Sequence, residues 1–199
     1  GRVPKLACKI PPRVALACSG GRDSMSALSF LLKGRRNVDL LYYNHGTAGS
    51  DEAEQFVSDI AKQEGLELRV GRPAAAIPPT ELAWRQARYE FFAKSDLPVV
   101  MAHHLNDAAE WWIFSSMRGN PKLMPIKRLH EGVEIMRPFM YFTCEQLHRQ
   151  NTLGGLDDPS NSDVSYSRNR IRHKIMPEAI KVNPGLLKTI YNLYERQND

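Results

Sequence analysis

The chain has 199 residues, 42% of them hydrophobic and 25% charged, a balance that supplies a buried core and excludes a disordered tail. Lys and Arg number 27 against 22 for Asp and Glu, a net charge of +5, which favours an anionic partner. No apolar run approaches the ~18 residues of a membrane-spanning helix, and Gly1 to Lys9 lack the apolar stretch of a secretory signal. The three cysteines, Cys8, Cys18 and Cys144, form no CxxC, so neither a thiolate zinc site nor a disulfide framework is expected. These features lead us to expect one soluble, cytoplasmic globular domain.

Short apolar runs at 14–18, 39–43, 66–70 and 99–102 alternate with segments of helical period that start near Asp23, Asp51, Thr80 and Asp107. That alternation predicts an open, mostly parallel sheet with helices on both faces. Ligands of such sheets sit beyond the carboxyl ends of the strands, so the informative loops are 19–22, 44–50, 71–79 and 103–106. After residue 118 prolines and glycines punctuate a stretch read as loop-rich, with one helix at 144–151. A final helical part at 168–196 is expected to break at Pro177 and Pro184.

The first strand runs into Ser19-Gly20-Gly21-Arg22-Asp23-Ser24, followed by a helical apolar pattern. Paired glycines allow close backbone approach, and the helix N-terminus adds positive potential, which together suit a phosphate. Ser19 and Ser24 add hydroxyl donors, and Asp23 offers a hard oxygen for a magnesium ion. The plainer alternative is a tight turn in which Asp23 or Ser24 caps the helix. Neither the P-loop nor the dinucleotide-binding signature is present.

Ser19-Gly20-Gly21-Arg22-Asp23-Ser24 resembles the pyrophosphate loop of the N-type ATP pyrophosphatases, which split ATP to AMP and pyrophosphate and so activate an oxygen for displacement. Within that class, four further segments are similar to the tRNA(Ile)-lysidine synthetases: Tyr43-Asn44-His45-Gly46 with Ser50-Asp51-Glu52-Ala53; Glu81 to Tyr89; His103-His104-Leu105-Asn106-Asp107-Ala108-Ala109-Glu110; and Asp157-Asp158-Pro159-Ser160-Asn161 with Tyr166 to Arg172 and Pro177. The resemblance implies an ATP-binding α/β domain at 1–142 and a helical extension at 143–199 packed on it. It also implies ATP and Mg2+ as cofactors, with L-lysine and a CAU-anticodon tRNA(Ile) as partners. The expected reaction adenylates C2 of cytidine 34 through its O2 and substitutes lysine there. Oligomeric state is left open, a dimer included, as is whether the chain is a catalytic fragment or a short form.

Asp107 and Glu110, three apart at a helix start, can seat an ammonium group, coordinate magnesium or accept a proton, or simply complement the helix dipole. The resemblance points them at the incoming lysine. His103 and His104 show no metal-ligand spacing and read as structure or as nucleotide contacts. Arg85 and Arg88 share a helix whose aromatics face the core, and the resemblance favours Arg85 for the developing charge. Trp111 and Trp112 read as core or subunit contacts. Arg168, Arg170, Arg172, His173 and Lys174 form a basic cluster, of which Arg168, Asn169 and Arg172 are assigned to tRNA. Asn161 and Asn169 are expected to bridge that motif by hydrogen bonds.

The departures are Asn44, Asn106, Ala108 and Trp111, where the resembling enzymes carry other residues. Losing two carboxylates keeps open a degenerate, non-catalytic tRNA- or nucleotide-binding module. A tRNA thiolase is disfavoured by the unpaired cysteines, and GMP or asparagine synthesis by the lack of room for a glutaminase.

Overall fold

The computed structural model describes residues 2–198. Six strands form one sheet in the order β3-β2-β1-β4-β6-β5: β1 Arg13–Ala17, β2 Asn37–Tyr43, β3 Leu68–Gly71, β4 Val99–Val100, β5 Lys127–His130 and β6 Val133–Met136. All pairings are parallel except β5 with β6, as the alternation of apolar and helical segments predicts. Period-two packing explains the layers. Val14, Leu16, Leu40 and Val100 pack into one apolar cluster beneath α1 (Arg22–Lys33) and α2 (Ser50–Glu64). Their strand neighbours Ala15, Leu41 and Val99 pack into the opposite cluster beneath α3 (Glu81–Phe92). Side chains of a fully covered strand must be apolar on both faces, which is why β1 reads as a continuous run.

The stretch beyond residue 118 is more regular than expected. His130-Glu131-Gly132-Val133 closes the β5–β6 hairpin, with positive φ at both Glu131 (49°) and Gly132 (82°), the geometry of a type I′ turn that matches strand twist. Glu-Gly is a weaker hairpin signal than Asn-Gly, which is why the pattern reads as loop. The helix at 144–151 is shorter, α5 spanning Cys144–His148. At the C-terminal end, α6 (Ser167–Arg170), a π-turn (Ile171–Ile175) and α7 (Met176–Val182) run on without the break expected at Pro177. The π-turn widens the helix just ahead of Pro177, where a proline would otherwise meet a carbonyl and lose a hydrogen bond. Pro184 does separate α7 from α8 (Leu186–Gln197). Ile190 and Tyr194 of α8 and Ile171 of the π-turn pack with Leu105, Ala108 and Ala109 of α4 (Leu105–Met117). No helix among the described residues is long and apolar enough to cross a membrane.

Because β1 has β2 on one side and β4 on the other, the chain reverses its direction of travel across the sheet at β1. The loops after β1 and β4 therefore open into a common crevice.

Candidate active site

Gly20 takes φ +83° in the turn after β1, a left-handed backbone that calls for glycine. Gly21 precedes α1 with no side-chain cap, whereas Thr80, His104 and Thr143 cap α3, α4 and α5. Neither Asp23 nor Ser24 caps the helix; both lie inside its first turn, whose N–H groups suit an anion. Ser19 Oγ accepts from Gly21 N at 3.3 Å and lies 3.4 Å from Ser24 Oγ, which donates to the Gly21 carbonyl. Arg22 is exposed at the rim. The far wall comes from the C-terminal part of the chain: Leu156 N donates to the Gly20 carbonyl at 2.9 Å. A Cβ on Gly155 would stand 3.1 Å from Arg22 N, so only glycine lets the two backbones approach.

Asp23 leaves the first turn of α1 toward two histidines. His148 Nε2 lies 2.6 Å from Oδ1, and His104 Nε2 lies 3.3 Å from Oδ2 and 3.4 Å from Asp107 Oδ2. Burial works against ionising Asp23, but the hydrogen bonds and charge of His104 and His148 outweigh it and hold the carboxyl well below its usual range. Burial likewise opposes protonation of His104, and the Asp107 and Asp23 carboxylates override it, raising its pKa well above the ordinary histidine value. His104 N donates to Asp107 Oδ2 at 2.9 Å, the dominant half of the α4 cap, since the return contact to His104 Nδ1 spans 3.4 Å.

Asp107 and Glu110 are brought together, both almost fully buried. Arg172 closes over them: Nε to Glu110 Oε1 at 2.9 Å, Nη2 to Glu110 Oε2 at 3.0 Å and to Asp107 Oδ1 at 3.2 Å. Its pKa is raised, first by the Glu110 hydrogen bond and then by the surrounding carboxylates. Arg168 Nη2 is 4.0 Å from Asp107. The carboxylate pair thus already holds a cation, and it is Arg172, read from the sequence as a phosphate contact, that supplies it. Asn169 Nδ2 donates to the carbonyls of Ser160 and Asp163, and His173 Nε2 meets the Asn161 carbonyl at 2.6 Å. These bonds tie the Asp-Pro-Ser-Asn turn to the basic helix, as expected for Asn169; Asn161 contributes its backbone, not its side chain.

Arg85 is exposed, stacks 5.2 Å over the Tyr89 ring and, among the described residues, pairs with no carboxylate. It lines a separate cavity of about 190 Å³ with Trp111, Lys122, Arg128 and Arg137. Its neighbour Arg88 is the more enclosed: its Nε is buried without a partner, and its charge acts on His45 and is felt together with that of Arg168. Two of the departures have structural work. Asn44 Nδ2 donates to both Asp51 and Glu54, at 2.9 and 3.0 Å, which a carboxylate could not do. Asn106 Oδ1 accepts from Cys144 N at 2.9 Å, anchoring α5.

This geometry belongs with a known family. The PP-loop domain matches residues 4–179. The chain belongs to the PP-loop family. It is 32% identical over 194 residues to a tRNA(Ile)-lysidine synthase of Geobacter sulfurreducens, covering 87% of this chain and 41% of that protein. It is 31% identical to the one of Lactiplantibacillus plantarum, covering 92% and 45%. The chain therefore spans less than half the length of these curated relatives. Among solved structures, the U34-tRNA thiolase NcsA from Methanococcus maripaludis, solved with its 4Fe–4S cluster, superimposes with TM-score 0.71 at 17% identity. That match covers 93% of this chain and 72% of that one, and it shows the shared PP-loop fold.

Sequence reasoning did not single out His148, Cys144 or Arg137, and it gave His104 no firm role. His148 is 125 positions from Asp23, so no local spacing could have joined them. The available signal was the pair Cys144 and His148, four apart on one helix face.

Proposed function

We propose that this PP-loop protein makes lysidine: it adenylates C2 of cytidine 34, through its O2, in a CAU-anticodon tRNA(Ile), and lysine then displaces AMP. The observation that carries this reading is the buried Asp107–Glu110 pair, a seat for a cation beside the uncapped glycine turn. The family membership of the chain and its similarity to named lysidine synthases support it.

In this reading the Ser19 to Ser24 turn receives the β and γ phosphates on backbone N–H groups and the two serine hydroxyls. Asp23 and Asp107 flank His104 with carboxylate oxygens, a hard donor set that fits magnesium. When bound, magnesium neutralises polyphosphate charge. The pyrimidine O2 attacks the α phosphorus and pyrophosphate leaves; that exocyclic oxygen, which departs poorly alone, then departs as AMP when the lysine amine attacks C2. The lysine ammonium takes the oxygen positions that Arg172 holds, and the amine must shed a proton, its reference pKa being about 10.4, before it attacks. Arg168, half-exposed at the mouth, meets RNA phosphate, and Asn169 keeps the adjoining turn in place. Arg85 faces the neighbouring cavity, where it meets charge on the RNA.

Incubating the protein with labelled lysine, ATP and the tRNA transcript tests the reading. Label enters tRNA if it holds; tRNA binding without label reduces the chain to a binding module. Asp23→Asn lowers tRNA-dependent pyrophosphate release by roughly 100-fold or more, the scale of a lost transition-state contact. Wild-type turnover by that variant removes Asp23 from the mechanism.

A further inference from the structure

We propose that Asp23, Cys144 and His148 form a binding site for a zinc-class divalent cation at the edge of the glycine turn. Their ligand atoms all lie within 4.8 Å of one another, contributed by the first turn of α1 and by one face of α5. Cys144 Sγ is 3.6 Å from His148 Nε2. Bond lengths of about 2.3 Å to sulfur and 2.1 Å to nitrogen in a tetrahedral site separate those two ligand atoms by about 3.6 Å, so this pair is already spaced for a metal. The Asp23–His148 contact, 2.6 Å as a hydrogen bond, opens by roughly 0.8 Å when an ion replaces the shared proton.

The donor set chooses the metal class. One thiolate, one imidazole and one carboxylate suit zinc or cobalt and are poor for magnesium, which takes oxygen. Three protein ligands leave a fourth position for water or a phosphate oxygen.

The site is also held in shape. Asp23 Oδ2, the oxygen turned away from His148, meets His104 Nε2 at 3.3 Å, the outer-sphere partner that fixes a ligating carboxylate. Thr143 and Gln146 cap α5 reciprocally, and Asn106 Oδ1 accepts from the Cys144 N–H. The helix turn carrying two of the ligands is thereby fixed to α4. Since the nucleotide reading also uses Asp23, an ion seated here competes with magnesium–ATP; that consequence rests on the function proposed above, whereas the site itself does not.

Cobalt(II) titration of the metal-stripped protein, without nucleotide, tests the site. One equivalent is expected to produce a thiolate-to-cobalt charge-transfer absorption with the visible bands of four-coordinate cobalt, and zinc is expected to displace it. Cys144→Ser abolishes the charge-transfer band. His148→Gln weakens cobalt binding by at least the roughly 10–100-fold that loss of an outer-sphere partner costs, and Cys8→Ser leaves the spectrum unchanged. No charge-transfer band in the wild type, or one that survives Cys144→Ser, overturns the site. Failure here leaves lysine incorporation unaffected, and failed incorporation leaves the cobalt spectrum in place.

Discussion

Arg137 and Arg172 are both tied into the protein by three side-chain hydrogen bonds, and they do opposite things. Arg137 is 1% exposed and donates to neutral acceptors from three separate places: His103 Nδ1 at 3.1 Å, the Pro125 carbonyl at 3.0 Å and Tyr89 Oη at 2.9 Å. Arg172 is one-third exposed and donates to two carboxylates. Burial pushes the Arg137 pKa down, while the Glu110 bond pushes that of Arg172 up. A guanidinium held by fixed, neutral acceptors is shaped to one geometry and acts as a strut between α3, the loop after β4 and the approach to β5. One held by buried anions near the surface sits where any other cation of suitable reach is equally welcome. The first arrangement organises the fold, and the second is where, in the function proposed above, the lysine substrate exchanges with the protein.

The largest effect should come from the strut. Arg137→Ala strips three buried acceptors of their donor, and on the scale of broken buried polar networks the loss is about 3–5 kcal/mol, read as a fall in urea midpoint. A loss below about 1 kcal/mol would mean that water replaces the guanidinium and that the contrast between the two arginines is empty. Arg172→Ala should cost less, about 2 kcal/mol, because Arg172 is itself one-third exposed, so water reaches the carboxylates once it is gone, and Asp107 keeps His104 beside it. That loss should be recoverable: L-lysine at ten times its dissociation constant restores about 1.4 kcal/mol, whereas lysine stabilises Arg137→Ala no more than it does the wild type, in which Arg172 still competes for the seat. Equal behaviour of the two variants in a lysine-dependent melting series would erase the distinction.

The glycine turn and the parallel strands were legible in the sequence because each depends on neighbours in the chain: Gly20 on a left-handed turn next to Gly21, Val14 and Leu16 against Ala15 on a two-sided strand. Asp107 and Glu110 were legible for the same reason, one helix turn apart. Their occupant was not. Arg172 sits 62 residues from Glu110, and its basic neighbours advertise a surface patch. Arg137, flanked by Met136 and Pro138, carries no local mark of its burial. What sequence periodicity misses here is long-range polar pairing, since neither helical nor strand period constrains which charged side chain closes over which.

The same contrast is repeated, at smaller cost, by two adjacent histidines. Burial, followed by the nearby Arg137 charge, lowers the pKa of His103 well below the ordinary 6.5, and the neutral ring accepts from Arg137. The folded state then resists a proton that the unfolded chain takes up, so stability from His103 is present above pH 6.5 and is lost as pH falls toward its lowered value. His104, beside Asp23 and Asp107, is raised; its contribution is complete below pH 6.5 and is lost as pH rises through the raised value. Each slope reaches at most about 1.4 kcal/mol per pH unit for one proton. Urea unfolding from pH 5 to 9 should therefore show His103→Gln flattening the acid limb and His104→Gln the alkaline limb. If both substitutions flatten the same limb, the two rings share one electrostatic environment, and the boundary between the strut and the cation seat does not run between residues 103 and 104.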